Sequence, residues 1–199
     1  MLTFEALVSL AVFSLVTSGT PGPNNLMLLA SGVNFGFKRT IPHMLGIGIG
    51  FAAMIAAVGL GLGTLFEALP WLHGAIKIAG IVYMLFLAWK IANSGEIGDG
   101  TAKARPMTFL AAAAFQWVNP KAWAMALSAL AAYTRPDAFV ESVLVVAAVF
   151  GLVNLPTVSS WALFGVGLRR FLSDPKTVRI FNWSCAALLV ASLVPMLGG

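Results

Sequence analysis

The sequence predicts an all-α integral membrane protein: six transmembrane helices, arranged as two inverted three-helix repeats in one domain. Three observations carry that expectation. Of 199 residues, 59% are hydrophobic and 10% are charged, against about 45–50% and about 25% in soluble domains. The apolar residues gather into six stretches separated by charges and turn residues. The first and fourth stretches are interrupted at corresponding prolines. So few charges cannot cover a water-soluble shell, which excludes a soluble globular enzyme. The formal net charge of +5 belongs to loops that orient the chain in a bilayer and is no nucleic-acid footprint.

The stretches are 4–32, 41–65, 72–91, 109–132, 143–167 and 180–196. A helix needs about 20 apolar residues to cross a bilayer core. The first reads as a span and not as a cleaved signal, because Glu5 stands where Lys or Arg is expected and the apolar run continues past Thr20. It is too long for one straight span, about 44 Å as a continuous helix, and it is interrupted at Thr17-Ser18-Gly19-Thr20-Pro21-Gly22-Pro23-Asn24-Asn25. Prolines remove backbone donors and disfavour helix just before themselves. In the second stretch His43, which follows Pro42, is a weaker site candidate whose plain alternative is an interfacial histidine. The glycines of Gly46-Ile47-Gly48-Ile49-Gly50 and Gly59-Leu60-Gly61-Leu62-Gly63 read as close helix packing, not phosphate loops.

After the third stretch comes a polar linker, 93–107, between halves of about 1–92 and 108–199 in a single domain, 1–199. The fourth stretch is interrupted at Gln116-Trp117-Val118-Asn119-Pro120-Lys121, and the fifth, more weakly, at Asn154-Leu155-Pro156. Aligning Pro23 with Pro120 puts Ser31 on Ser128 without a gap. Three spans per half is odd, so the second half enters from the opposite face. Trp71, Trp89 and Trp183 fit an interfacial belt. Cys185 reads as a packing residue. One Cys, two His and seven scattered carboxylates give no reason to expect a metal or another cofactor.

Orientation follows from Lys and Arg. Lys38, Arg39, Lys90, Lys103, Arg105, Arg169, Arg170, Lys176 and Arg179 lie on one side; Lys77 and Arg135 lie on the other. The richer side is cytoplasmic by this rule, which puts both termini outside the cytoplasm.

Broken helices at matching places in inverted halves point to a transport site. Unwound backbone in hydrocarbon is costly unless protein or water satisfies it, so a break faces a cavity. Helices restarting after Pro23 and Pro120 would each present free N–H groups and a positive dipole end, a setting for a carboxylate. Lys121 at membrane depth is costly and therefore functional by default. The candidate substrate-binding residues are Pro21, Gly22, Pro23, Asn24, Asn25, Gln116, Asn119, Pro120, Lys121 and Asn154.

Thr20-Pro21-Gly22-Pro23-Asn24-Asn25-Leu26, then Gly36-Phe37-Lys38, Ala88-Trp89-Lys90-Ile91-Ala92 and Phe115-Gln116-Trp117-Val118-Asn119-Pro120-Lys121, resemble the lysine-exporter (LysE/RhtB) family of amino-acid efflux transporters. The resemblance covers essentially the whole chain, and the pattern is nearest to the branch that exports cysteine and O-acetylserine. It implies amino-acid export across a bacterial cytoplasmic (inner) membrane, coupled to protons, by a homodimer. Many members carry Asp where this chain has Asn24. Without a carboxylate deep in any span, Lys121 becomes the residue to consider for proton coupling.

The sequence thus predicts a secondary transporter exporting a small, neutral amino acid or close derivative. The alternatives are an intramembrane enzyme and a passive channel for small polar solutes. An enzyme would need a nucleophile and base, or metal ligands, at membrane depth, and no such spacing is present.

Overall fold

The computed structural model describes residues 2–62, 68–69, 71–94, 105–172 and 174–194. Eight α-helices run through them: α1 Phe4–Gly19, α2 Pro23–Phe35, α3 Phe37–Ala57, α4 Trp71–Ala92, α5 Phe109–Gln116, α6 Pro120–Tyr133, α7 Phe139–Arg169 and α8 Pro175–Ala191. A π-helical turn, Val58–Leu62, extends α3, and a 3₁₀ turn, Pro136–Ala138, precedes α7.

The starts and stops follow the local sequence. Thr3 and Thr108 cap α1 and α5 alike, each hydroxyl accepting from the N–H three residues on, at 3.2 Å. Proline opens α2, α6 and α8, where its missing N–H removes a donor the helix could not pair. Between α2 and α3 the chain turns at Gly36, whose φ of +79° favours a residue without a Cβ.

Helix α7 is the spine, packing along α2, α3 and α1; α3 also runs beside α5, and α4 pairs with α8. In lipid, helices associate through close packing, and small residues permit it. A Cβ on Gly32 of α2 would stand 2.2 Å from the carbonyl oxygen of Ala162, and one on Gly165 of α7 would stand 2.3 Å from that of Leu29. Gly46 and Gly50 bring α3 equally close to Phe109 and Ala113 of α5, and Gly59 lies against Val143. The packing expected of these glycine runs is present at Gly46, Gly48, Gly50 and Gly59 but not at Gly61, which has nothing within 4 Å of a new Cβ and a φ of +127°; Gly63 falls outside the described residues.

The molecule is apolar outside and partly polar inside. Phe4, Leu110, Leu152 and Trp71 are exposed, while Ser14, Ser18, Asn25, Gln116, Asn119, Asn154 and Asn182 are buried. Phe51 and Phe150 meet edge-on, with centroids 5.4 Å apart, at the centre of the largest apolar cluster. Trp71, Trp89 and Trp183 are exposed and Cys185 is buried.

Two local expectations are corrected. Helix α7 runs unbroken through Asn154-Leu155-Pro156. Hydroxyls near a proline can satisfy helix carbonyls in a membrane, and Thr157 Oγ1 donates to the Val153 carbonyl at 2.6 Å. His43 is buried rather than interfacial, only 2% exposed. The helix begins at Phe37, six residues earlier, and His43 falls on the inward face with Thr40, Met44 and Ile47.

Among the described residues, three helical segments are long and apolar enough to cross a membrane: Phe37–Leu62, Gly74–Ala92 and Pro136–Arg169. The pair α1 and α2, bent by 59° at its break, is long and apolar enough for a fourth when taken as one broken span.

The α2–α7 crossing yields a paired test. Gly165→Ala is expected to lower stability by about 1–3 kcal/mol through overpacking. Gly167→Ala, two residues on with nothing within 4 Å of the new Cβ, is expected to be neutral or slightly stabilising. Thermal unfolding of the purified variants in detergent reads the difference.

Candidate functional site

Helix α1 stops at Gly19 and α2 restarts at Pro23; α5 stops at Gln116 and α6 restarts at Pro120. Each break therefore has three residues, and each ends at a proline. The first break is stitched by side chains from two directions. Asn25, buried in the first turn of α2, donates from Nδ2 to the carbonyls of Ser18 at 2.7 Å and Thr20 at 2.8 Å. From α7, Trp161 Nε1 donates to the Gly19 carbonyl at 3.2 Å, and Asn154 Nδ2 to Ser18 Oγ at 3.0 Å. These bonds satisfy groups at the end of α1 that hydrocarbon would leave unpaired.

The second break is stitched by its own residues. Asn119 Oδ1 accepts from the Lys121 N–H at 3.1 Å, and Trp123 Nε1 donates to the Trp117 carbonyl at 2.8 Å. The two helix N-termini are consequently unequal. Asn119 caps α6, whereas Gly22 offers α2 no side-chain cap. The expectation of two open, equivalent N-termini is corrected: a side chain caps α6 and none caps α2.

Two bridges hold the breaks against each other. Asn24 Nδ2 donates to Gln116 Oε1 at 2.8 Å, and Gln116 Nε2 donates back to Asn24 Oδ1 at 3.3 Å. The Lys121 ammonium donates to Thr20 O at 2.7 Å, Thr20 Oγ1 at 2.8 Å and Pro21 O at 3.4 Å. It reaches from the start of α6 across to the end of α1, where a cation opposes the negative helix end. Gly22 is extended, with φ of 178°, and needs no special conformation. It needs space: a Cβ there would lie 2.8 Å from Lys121 Cδ and 3.2 Å from Nζ.

The cavity between the breaks is lined by Gly22, Asn24, Asn25, Gln116, Asn119, Lys121 and Asn154 of the sequence-derived set. Pro21, Pro23 and Pro120 do not line it; they shape the backbone, and Pro21 lends Lys121 a carbonyl. Thr17, Ser18, Phe51, Met125 and Val158 also line the cavity. Reading the sequence did not select them. For Ser18 a signal existed: Leu10, Ser14 and Ser18 form one buried stripe at helical spacing on α1. The cavity offers the centre of a water molecule about 20 Å³, against about 10–15 Å³ needed to hold one water.

The model of the LysE type translocator matches residues 15–193, a span that includes both breaks and the cavity. The chain belongs to the LysE family. A cysteine/O-acetylserine efflux protein of Klebsiella pneumoniae is 35% identical over 89% of this chain and 90% of its own length. Its counterpart in Escherichia coli K12 is 32% identical over 77% of this chain and 78% of its own length. No solved structure matches. Members of this family are membrane transporters, so the chain is a translocator and not an enzyme.

The reciprocal amide bridge has a measurable signature. Asn24→Ala and Gln116→Ala should each cost about 1–3 kcal/mol, because each orphans the partner amide. The double variant should cost less than the sum, with coupling of about 0.5–3 kcal/mol. A double-mutant cycle on thermal unfolding in detergent measures it.

Proposed function

We propose that this LysE-family translocator exports a small, neutral amino acid or close derivative from the cytoplasm, in exchange for protons, through the cavity between its two helix breaks. One observation carries the reading: the Lys121 ammonium stands at the uncapped N-terminus of α2, so a mobile charge and free backbone donors converge on one spot. An amino-acid carboxylate is a suitable guest there. Lys121 would exchange its Thr20 and Pro21 carbonyls for that carboxylate, loosening the clasp between α6 and α1 as the guest enters. The remaining candidates, Asn24, Asn25, Gln116, Asn119 and Asn154, supply amide contacts, while Pro21, Gly22, Pro23 and Pro120 set the backbone. Among the described residues no carboxylate lines the cavity, which favours a neutral side chain over a dibasic one. The efflux relatives named for cysteine and O-acetylserine fit that size and charge.

We read the chain as six crossings: α1–α2, α3, α4, α5–α6, α7 and α8. The equal breaks, the proline at each restart and the threonine caps of α1 and α5 support two inverted halves in the cytoplasmic membrane. The Lys and Arg asymmetry supports external termini. Reporter fusions at Gly100 and Gly199 should then report opposite sides, cytoplasmic and external; the same side for both refutes the arrangement.

Lys121→Met tests the site. Loss of a charged partner to a buried carboxylate costs about 2–5 kcal/mol, or roughly 30- to 5,000-fold in affinity. Transport of labelled L-cysteine into inside-out vesicles, with and without a pH gradient, should collapse while protein abundance holds. Lys121→Arg keeps charge but loses the compact titratable ammonium. It is expected to bind substrate and to lose the response to the pH gradient. Normal transport by Lys121→Met refutes the assignment.

A further inference from the structure

Resting on the amino-acid reading above, we infer that Asn154 Oδ1 is the acceptor for the substrate's α-ammonium, making the cavity a two-pole site for zwitterions. Asn154 lines the cavity from α7 and is 4% exposed. Its Nδ2 donates to Ser18 Oγ at 3.0 Å, which fixes the plane of the amide. Its Oδ1 is buried with no hydrogen-bond partner among the described residues. Buried polar atoms are paired in the great majority of cases, so an orphan in a cavity wall marks a place where a guest completes the bonding.

Three neighbouring amide acceptors are already engaged. Asn24 Oδ1 and Gln116 Oε1 serve each other's amides, and Asn119 Oδ1 caps α6. Asn154 Oδ1 differs from them in being buried without a donor, on a residue that lines the cavity. An oxygen that can only accept calls for an N–H or O–H from the guest.

The cavity also has a cationic pole, through Lys121 and the α2 N-terminus. A simple anion would satisfy that pole and leave Asn154 unpaired. A dipolar amino acid satisfies both, its carboxylate toward Lys121 and its ammonium toward Asn154. The site would therefore select primary α-amino acids over their deaminated counterparts, independently of the side chain.

Proteoliposomes test this with O-acetyl-L-serine and its deaminated counterpart, 3-acetoxypropanoate, in mildly acidic buffer. The wild-type protein is expected to prefer the amino acid by about 10- to 100-fold, the worth of one hydrogen bond to a charged group. Asn154→Leu should reduce the preference to a few-fold by impairing O-acetylserine transport alone. Asn154→Asp, of equal size and purely an acceptor, should keep or raise it. An unchanged preference in Asn154→Leu overturns the inference. So does loss of O-acetylserine transport in a monodisperse Asn154→Asp protein, because Asn154 would then be donating to a carboxylate. If Asn154→Leu does not fold, the Asp variant decides alone. If both variants transport the two compounds with wild-type preference, only the Asn154 assignment fails. If the wild-type protein moves neither compound, the amino-acid reading fails and takes this inference with it.

Discussion

The ammonium of Lys121, carried by the first turn of α6, lies against the carbonyl and hydroxyl of Thr20 at the end of α1, and the geometry of the cavity depends on that contact. A cation at membrane depth must find acceptors. A helix that stops at membrane depth must find donors for its last carbonyls. Each break solves the other's problem. The same contact explains a glycine between two prolines, because the lysine stem crosses the place where a Cβ at residue 22 would stand.

Such a contact has two uses for a transporter. It keeps the breaks together while no guest is bound, and it is made of the kind of bond that a guest can replace. A carboxylate offers Lys121 a stronger partner than a neutral carbonyl. The amide bridge between Asn24 and Gln116 and the stitching by Asn25 and Trp161 engage no ionised group. They suit a frame that stays while the lysine moves. The frame itself rests on glycine: at Gly32 and Gly165 backbones of α2 and α7 touch, and at Gly46 and Gly50 those of α3 and α5 do.

Much of the fold was legible because the bilayer imposes simple rules. Apolar length marks a helix able to cross, and proline next to glycine marks its interruption, so both breaks fell where the sequence put them. The fifth stretch shows the limit of the rule. Asn154-Leu155-Pro156 has the same residue types as a break, yet α7 continues through it. Whether a proline breaks or only perturbs a helix depends on what neighbouring hydroxyls and helices offer the affected backbone. That is a property of packing, and His43 was misplaced for a related reason: its depth depends on where α3 begins, not on the proline beside it.

What the sequence determined by itself was the all-helical membrane class, the two interruptions, the lysine at the second one and the glycine contacts, because each follows from composition or local backbone chemistry. What only the tertiary structure decided was who partners whom. The sequence offered Lys121 no partner within the chain, and the fold supplies one in Thr20. The sequence made the two restarting helices equivalent; the fold caps α6 with Asn119 and leaves α2 open at Gly22. Asn154 was among the candidate substrate-binding residues, and the fold gives one end of its amide a partner and leaves the other without. The Asn119 cap is a local bond two residues long; the others join residues a hundred or more positions apart, depend on helix placement in three dimensions, and have nothing local in the chain to encode them.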